Sequence, residues 1–485
     1  MTKRCTHPMM KLSASLLVAM LAAGCTVGPD YERPKMDLPG QYNADVPQSS
    51  TSDATQSEVE SKATVAIIEN WWTLFNDPEL NRLESLALTN NADLQMAVAR
   101  IAQAQGLALQ AGSAQYPSLS LEGSGTRASQ GAAASASGID YLDNNYQGSA
   151  GFSYEIDLWG KVRRSVESAD AQLKASVFDR DSVRLVLEGS VAKAYMNLRA
   201  LDAQIKVTQH SIHTRRETLR IAQAKLAGGL VSPLDINQAT ATLASLQATQ
   251  SELIRQRVIV QNQLAVLTGV LDLKIPATGL DGLPVPPVPP AGVPSALLEG
   301  RPDIRKAEEQ LVSANAQIGV AKANFFPSFS LTGLYGAQSV GFTNFLSAGG
   351  SVWAATLGVT QPLFTGWLLT GQLDTAKGKQ QEALANYIRT VRTAFAEVGD
   401  SMTSVQQTQE SEAHLSLQVE ASTKAQQIAI LRYEAGYVDY LTVLEAQRVA
   451  NEASLAYARN RGSRLQASVD LFRSLGGGWQ PEIKR

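Results

Sequence analysis

The chain has 485 residues, a formal net charge of −3 and 44% hydrophobic residues. Near-neutral charge offers no broad basic surface, so no nucleic-acid partner is expected. The apolar content is that of a soluble protein, so any contact with lipid must be carried by alternating strands and not by apolar helices. Length alone would suggest about three domains, but the chain reads as a duplication, which does not obey that prior.

The first 25 residues stand apart. Lys3, Arg4 and Lys11 precede the apolar run Leu12–Ala23. That run is too short to span a bilayer as a helix and has the shape of an export signal. It ends in "LAAGC", small residues directly before Cys25, which resembles the lipobox of bacterial lipoproteins, with Ala22 where leucine is usual. Residues 1–24 are therefore read as a lipoprotein signal peptide and Cys25 as the lipidated residue. Thr26 follows, and in such lipoproteins the absence of aspartate there implies sorting to the outer membrane. The cysteines are Cys5 and Cys25, and Cys5 lies in the removed segment. One cysteine remains, so no intrachain disulfide is possible. Residues 25–70 read as a lipid-anchored, polar and irregular arm.

From residue 71 one plan appears twice, in 71–283 and 295–476, around the proline-rich stretch 284–294 and before a tail, 477–485. At an offset of 210, "YPSLSLEG" (116–123) meets "FPSFSLTG" (326–333); at 207, Gly229 meets Gly436 and Leu234 meets Leu441. Each copy reads as a helix (78–113; 302–324), a strand (117–126; 327–336), a loop and a second strand (146–158; 351–364). A long helix (160–228; 366–434), a glycine turn and a return helix (232–268; 439–475) follow. No proline falls between Pro117 and Pro233 or between Pro362 and Pro481 to break the long helices. "PVPPVPPAGVP" is a stiff connector.

The strands alternate. Phe152, Tyr154, Ile156 and Leu158 share one side, with Ser153, Glu155 and Asp157 opposite. Trp353, Ala355, Leu357 and Val359 share a side in the fourth strand, with Ser351, Thr356 and Thr360 read as opposite. The second and fourth runs are long enough for tilted membrane strands. Phe152, Tyr154, Ile156, Leu158, Trp353, Leu357 and Val359 are the expected lipid-facing residues. The long helices carry seams at a spacing of about 3.5, such as Val162, Val166, Ala169 and Leu173, and Val191, Ala194, Leu198, Leu201 and Ile205. The rest of their surface is polar, so they cannot lie in lipid. Four strands cannot close a barrel. Two copies would supply eight strands and a filled interior; three would supply twelve and a bore. A conducting object favours the trimer, and a lipid-anchored envelope spacer is the alternative.

Five motifs, "CTVGPDYERP" (25–34), "WWTLFNDPEL" (71–80), "YEIDLWGKVRR" (154–164), "EGRPDIRKAE" (299–308) and "RYEAGYVDYLTVLEAQR" (432–448), resemble the outer-membrane efflux family over the whole mature chain. The likeness is to TolC-like proteins and, more closely, to the lipoprotein components of tripartite drug pumps. It implies a mainly α chain with a membrane β-barrel: a homotrimer whose 12-stranded barrel is continuous with a 12-helix periplasmic tunnel. It implies a periplasmic adaptor and an inner-membrane transporter of the resistance–nodulation–division type as partners, outer-membrane lipid around the barrel, and no enzyme activity. No cofactor is expected beyond the lipid on Cys25. A conduit for type I protein secretion or for metal export is the alternative within the class.

The same resemblance places a periplasmic gate at the helix tips. Tyr433 and Asp235 match a gate tyrosine and its aspartate partner, and Glu445 matches an acidic ring position. Asp439 could supply a different ring, because Val438 and Thr442 stand where a gate arginine and another acid would be. Gly228, Gly229, Pro233 and Gly436 mark the turns and the expected docking tip for the adaptor. His210, His213 and His414 lack the company of a metal site, and no P-loop, GxSxG, HExxH or CxxC pattern is present.

Overall fold

The structure is a computed structural model that describes residues 26–36, 39, 66–68, 70–130, 141–280, 282–286, 300–345 and 348–480. The signal 1–24, Cys25, most of the arm, linker residues 287–294 and tail residues 481–485 lie outside the described residues. The helices are α1 (Pro78–Asn90), α2 (Ala92–Ser113), α3 (Lys161–Ala227), α4 (Pro233–Thr268), α5 (Pro302–Ala323), α6 (Leu368–Glu434) and α7 (Tyr440–Ser474). The strands are β1 (Ala66–Ile68), β2 (Ser118–Gln130), β3 (Tyr141–Ile156), β4 (Ser328–Ser339), β5 (Ser351–Thr360) and β6 (Gly478–Gln480). At 1.5 Å per residue, α3 and α6, each of 67 residues, run for about 100 Å.

Four expectations change. The first helix is two, because Asn91 is extended at ψ 128° and its side chain caps α2, accepting from the Leu94 amide at 3.1 Å and donating to the Leu267 carbonyl at 3.0 Å. The strands β2 and β3 reach farther into the expected loop, but β3 stops at Ile156, so Leu158 lies beyond it. The strand β5 stops at Thr360: Pro362 has no N–H to donate, and Gln361 turns its amide to the Phe325 carbonyl at 3.1 Å. Finally, Ser351 pairs with Ala337 and so shares a face with Trp353, two residues on.

The chain divides into two compact units, and α3 and α6 each run from one into the other. The first unit contains the antiparallel sheet β2-β3-β4-β5. Its two hairpins share one register: Leu119 faces Phe152 and Phe329 faces Val359, the same pair moved by the repeat offsets. Even the close contacts repeat, since a Cβ on Gly151 or Gly358 would lie 2.8 Å from the hydroxyl of Ser120 or Ser330. Where β3 ends, Trp159 stacks on Phe326 with ring centroids 4.8 Å apart, and its indole N–H donates to the Pro327 carbonyl at 2.7 Å. The residues after Cys25 are tied down beside this joint. The Val27 amide donates to the Trp159 carbonyl at 3.0 Å, and Arg164 donates to Asp30 at 2.5 Å. Gly28 and Gly319 let the backbones meet, for a Cβ on Gly28 would lie 2.6 Å from the Gly319 Cα.

The buried stripe of α3 in this unit is Val162, Arg164, Ser168, Ala171 and Ala175, rather than the expected Val166, Ala169 and Leu173, which are half-buried. Ser168 faces α5, bonded to Ser313 at 2.9 Å and Gln317 at 2.8 Å, so polar pairing sets the stripe where apolar spacing alone did not. Farther along, Val191, Ala194, Leu198 and Leu201 are buried as the seam predicts.

The second unit explains the "WWTLFNDPEL" motif. Trp71 and Phe75 pack in a 3₁₀ turn against Phe472, with Trp71 stacked on Phe472 at 5.5 Å. Asp77 then serves two purposes. It caps α1 by accepting from the Glu79 amide at 2.8 Å, and it accepts from the Tyr195 hydroxyl at 2.5 Å. Arg199 stacks over Tyr195 at 4.7 Å and reaches Asp77 at 3.4 Å, so the buried carboxylate is paired. Arg301 of "EGRPDIRKAE" is likewise buried and ties Asp303 (2.7 Å), Glu397 (2.8 Å) and the Ser474 carbonyl (2.7 Å).

Glu84 of α1 is different. It is fully buried, and neither carboxyl oxygen has a hydrogen-bond partner among the described residues. Burial, then the carboxylate of Glu188, push its pKa well above the ordinary carboxylate range; Glu188 itself is paired with Arg184 at 2.8 Å. Folding thus takes up a proton at Glu84 over the interval between its unfolded and folded pKa values. The stability is full below the unfolded value and falls as pH rises through that interval, by about 1.4 kcal/mol per pH unit. Glu84→Gln is expected to match the parent in thermal melts near pH 5 and to melt higher near pH 8.5.

Candidate functional site

Two features carry chemistry that the rest of the fold supports: the helical tips and the two faces of the sheet. At the first tip α3 ends in a left-handed glycine turn. Gly229 has φ +71°, its amide donates to the Leu226 carbonyl at 2.9 Å, and the Leu230 amide donates to Lys225 at 2.9 Å. At the second, Gly436 has φ +82°, its amide donates to Tyr433 at 3.1 Å, and the Tyr437 amide donates to Arg432 at 2.8 Å. Both are Schellman closures, and glycine is there because an L side chain resists positive φ. Gly228 precedes its closure in helical continuation, with its amide on the Ala224 carbonyl at 3.2 Å. Three residues past each turn glycine comes a cap. Ser232 accepts from the Leu234 amide at 3.1 Å, with Pro233 as the first residue of α4. Asp439 accepts from the Thr442 amide at 2.9 Å and its hydroxyl at 2.5 Å.

Behind the turns lies a small core of Ala239, Ala429, Tyr433, Tyr440 and Val443. Tyr433 and Tyr440 meet edge to face at 5.7 Å. The Lys225 ammonium sits 4.2 Å from the Tyr433 ring centroid and donates to the Tyr433 carbonyl. The Tyr433 hydroxyl is buried without a hydrogen-bond partner, so within the chain it is not bonded to Asp235. Asp235 is near enough to act through its field: burial first and Asp235 second raise the Tyr433 pKa. Arg215 is buried nearby with one guanidinium nitrogen unpartnered, and burial lowers its pKa.

The acids expected at the gate are thus held in three ways. Asp235 is half-buried beside the tyrosines. Asp439 is exposed but committed to capping, and the Thr442 hydroxyl and amide hold its carboxyl below the usual range. Glu445 is exposed and bonded by Arg448 at 2.9 Å, which lowers its pKa; Arg448 also bridges to Glu452 at 2.7 Å. Lys225, Arg448 and Tyr440 were not singled out from sequence. The repeat could have found the exposed apolar pairs Leu230 with Tyr437 and Leu234 with Leu441, which occupy matched places on the two tips.

On the sheet, cross-strand partners share a face. Leu119, Phe152, Gly333 and Ala355 form one such row; Tyr154, Leu331 and Leu357, and Ile156, Phe329 and Val359, form others. Tyr335 pairs with Trp353, which is 75% exposed. One face is therefore apolar, and it gathers all the expected lipid-facing residues except Leu158. The opposite face carries Ser120, Glu122, Ser124, Ser153, Glu155, Ser330, Thr332, Thr356 and Thr360. No described helix is long and apolar enough to cross a membrane, and the described residues hold no group of three or more histidines, cysteines or acids fit for a metal.

A family profile described as outer membrane efflux protein matches residues 83–270 and 293–477. The chain belongs to the outer membrane efflux protein family. It is 35% identical to the probable efflux pump outer membrane protein TtgC of Pseudomonas putida over 488 residues, 97% of this chain and 96% of that one. Its fold resembles the outer-membrane channel OprN, with a TM-score of 0.85 at 29% identity over 94% of this chain and 100% of that one. It also resembles the open state of the Neisseria gonorrhoeae MtrE outer membrane channel, with a TM-score of 0.82 at 32% identity over 95% and 100%. This efflux protein is an outer-membrane channel component of a Gram-negative bacterium, as its relatives are.

The caps separate two acids of the tip. Asp439→Ala is expected to cost about 1 kcal/mol at the first turn of α7, read as faster amide exchange at Thr442. Asp235→Ala leaves the Ser232 cap intact and should leave exchange at Leu234 unchanged.

Proposed function

We propose that this efflux protein is the passive exit duct of a three-part export system. Three copies share one 12-stranded barrel in the outer membrane, and their helices line a 12-helix tunnel in the periplasm. The observation that carries this reading is the sheet: one apolar face, one polar face and two open edges, β2 and β5. Such a sheet suits lipid outside and water inside only when further strands close it. Small drugs or similar molecules pass along the polar interior, and the energy comes from an inner-membrane pump of the resistance–nodulation–division type through a periplasmic adaptor. The matched tips, with Gly228, Gly229, Pro233 and Gly436 and their exposed Leu230, Leu234, Tyr437 and Leu441, are the surface offered to the adaptor.

The tips also hold the gate, with Asp235, Tyr433, Asp439 and Glu445 as its polar groups. Tyr433 supports this reading, for a buried hydroxyl without a partner in its own chain is free to bond one on a neighbour. The trimer in detergent should show a small single-channel conductance in planar bilayers, where a spacer would show none. Tyr433→Phe removes only the unpartnered hydroxyl. It is expected to leave the melting temperature within about 2 °C, in keeping with the small cost of a conservative change, and to raise the conductance. Unchanged conductance would remove Tyr433 from the latch.

Lipid on Cys25 fits the same reading. Thr26 packs on Gly160 at the joint between β3 and α3, where φ is +78° and a Cβ would lie 2.5 Å from the Thr26 methyl. An acyl chain on the preceding residue would start beside the end of the sheet. Cys25→Ser is expected to abolish incorporation of labelled palmitate while the trimer mass, measured by light scattering, persists.

A further inference from the structure

The internal repeat specifies an interface that a single chain does not contain, and this inference rests on the reading that copies share one barrel. The repeat carries β2 onto β4 by 210 residues and β3 onto β5 by 207. Applied to the observed pair Leu119 and Phe152, it yields Phe329 and Val359, which is the observed pair of the second hairpin. The central junction pairs Phe152 with Gly333, Tyr154 with Leu331 and Ser153 with Thr332. We propose that β5 of one copy pairs antiparallel with β2 of the next copy in the register of that central junction. Val359 then faces Gly123 of the next copy, Gln361 follows the strand toward Leu121, and Thr360 faces Glu122.

Three observations support this register over its neighbours. It sets Val359, on the apolar face of its own sheet, against Gly123, on the apolar face of the other; a slip by one residue would put apolar against polar along the whole seam. It also fills an open place. A Cβ on Gly333 would meet the Phe152 side chain at 3.8 Å, whereas one on Gly123, the repeat counterpart of Gly333, would meet nothing within 4 Å. Exposure follows the same logic: Leu331 is 38% exposed inside the sheet, and its edge counterpart Leu121 is 87% exposed. Lipid could cover Leu121, but it offers no partners to the backbone groups of β2 and β5. A second copy satisfies both.

The test uses the full-length lipoprotein solubilised in detergent, with Glu122→Cys and Thr360→Cys in one chain, oxidised by copper phenanthroline. The facing positions should give reducible dimer and trimer bands. Ser120→Cys or Ser124→Cys, each combined with Thr360→Cys, should lose most of that product, and each single substitution should lose all of it. Ser124→Cys with Gly358→Cys is a second aligned pair, so failure of one variant to assemble does not end the test. Trimer mass is measured for each variant beforehand. Stronger linkage in a shifted pair overturns the register while the shared barrel stands. Trimers that no pair links overturn the joining of β5 to β2. A monomeric parent protein overturns the shared barrel itself.

Discussion

An unpaired backbone N–H or C=O costs several kcal/mol in hydrocarbon, and β2 and β5 each leave one side unpaired in the four-stranded sheet. That penalty governs the rest of the proposed architecture. It forbids the sheet from meeting lipid alone, and it makes association of copies a condition of the membrane-embedded state. A larger apolar face would not remove it, because the penalty belongs to the backbone and not to the side chains.

The duplication offers an economical response. Two hairpins with one register present nearly equivalent edges, so one geometry serves inside the chain and between copies. The same economy shapes the tips. Two glycine turns and two caps, Ser232 and Asp439, close the helix pairs in matched fashion, yet the side chains behind them differ. Lys225 lies on Tyr433 in one place only, and the tyrosine pair belongs to α6 and α7 alone. Near-symmetry in backbone with asymmetry in side chains is what a gate formed between unlike helix pairs requires.

Away from the sheet and tips, buried polar groups are mostly satisfied by pairing. Asp77 with Tyr195 and Arg199, and Arg301 with Asp303 and Glu397, hold the second unit where apolar side chains alone are small. Glu84 is the exception, kept neutral by burial beside Glu188. The motifs that marked the family, "WWTLFNDPEL" and "EGRPDIRKAE", are thus chiefly structural, supplying the aromatic packing and the buried ion pairs.

Much was legible before any coordinates. Period-two alternation placed Phe152, Tyr154, Ile156, Trp353, Leu357 and Val359 on one face, and prolines with turn glycines bounded the long helices within a residue or two, because both signals are local. Leu158 and Ser351 went astray where a strand end or a parity had to be judged without partners. The break at Asn91 depends on its amide reaching the Leu267 carbonyl. The buried stripe of α3 depends on Ser168 meeting Ser313. The solitary hydroxyl of Tyr433 and the neutral Glu84 depend on what does not come near them. Those properties arise from groups far apart in the chain, and only packing decides which of them meet.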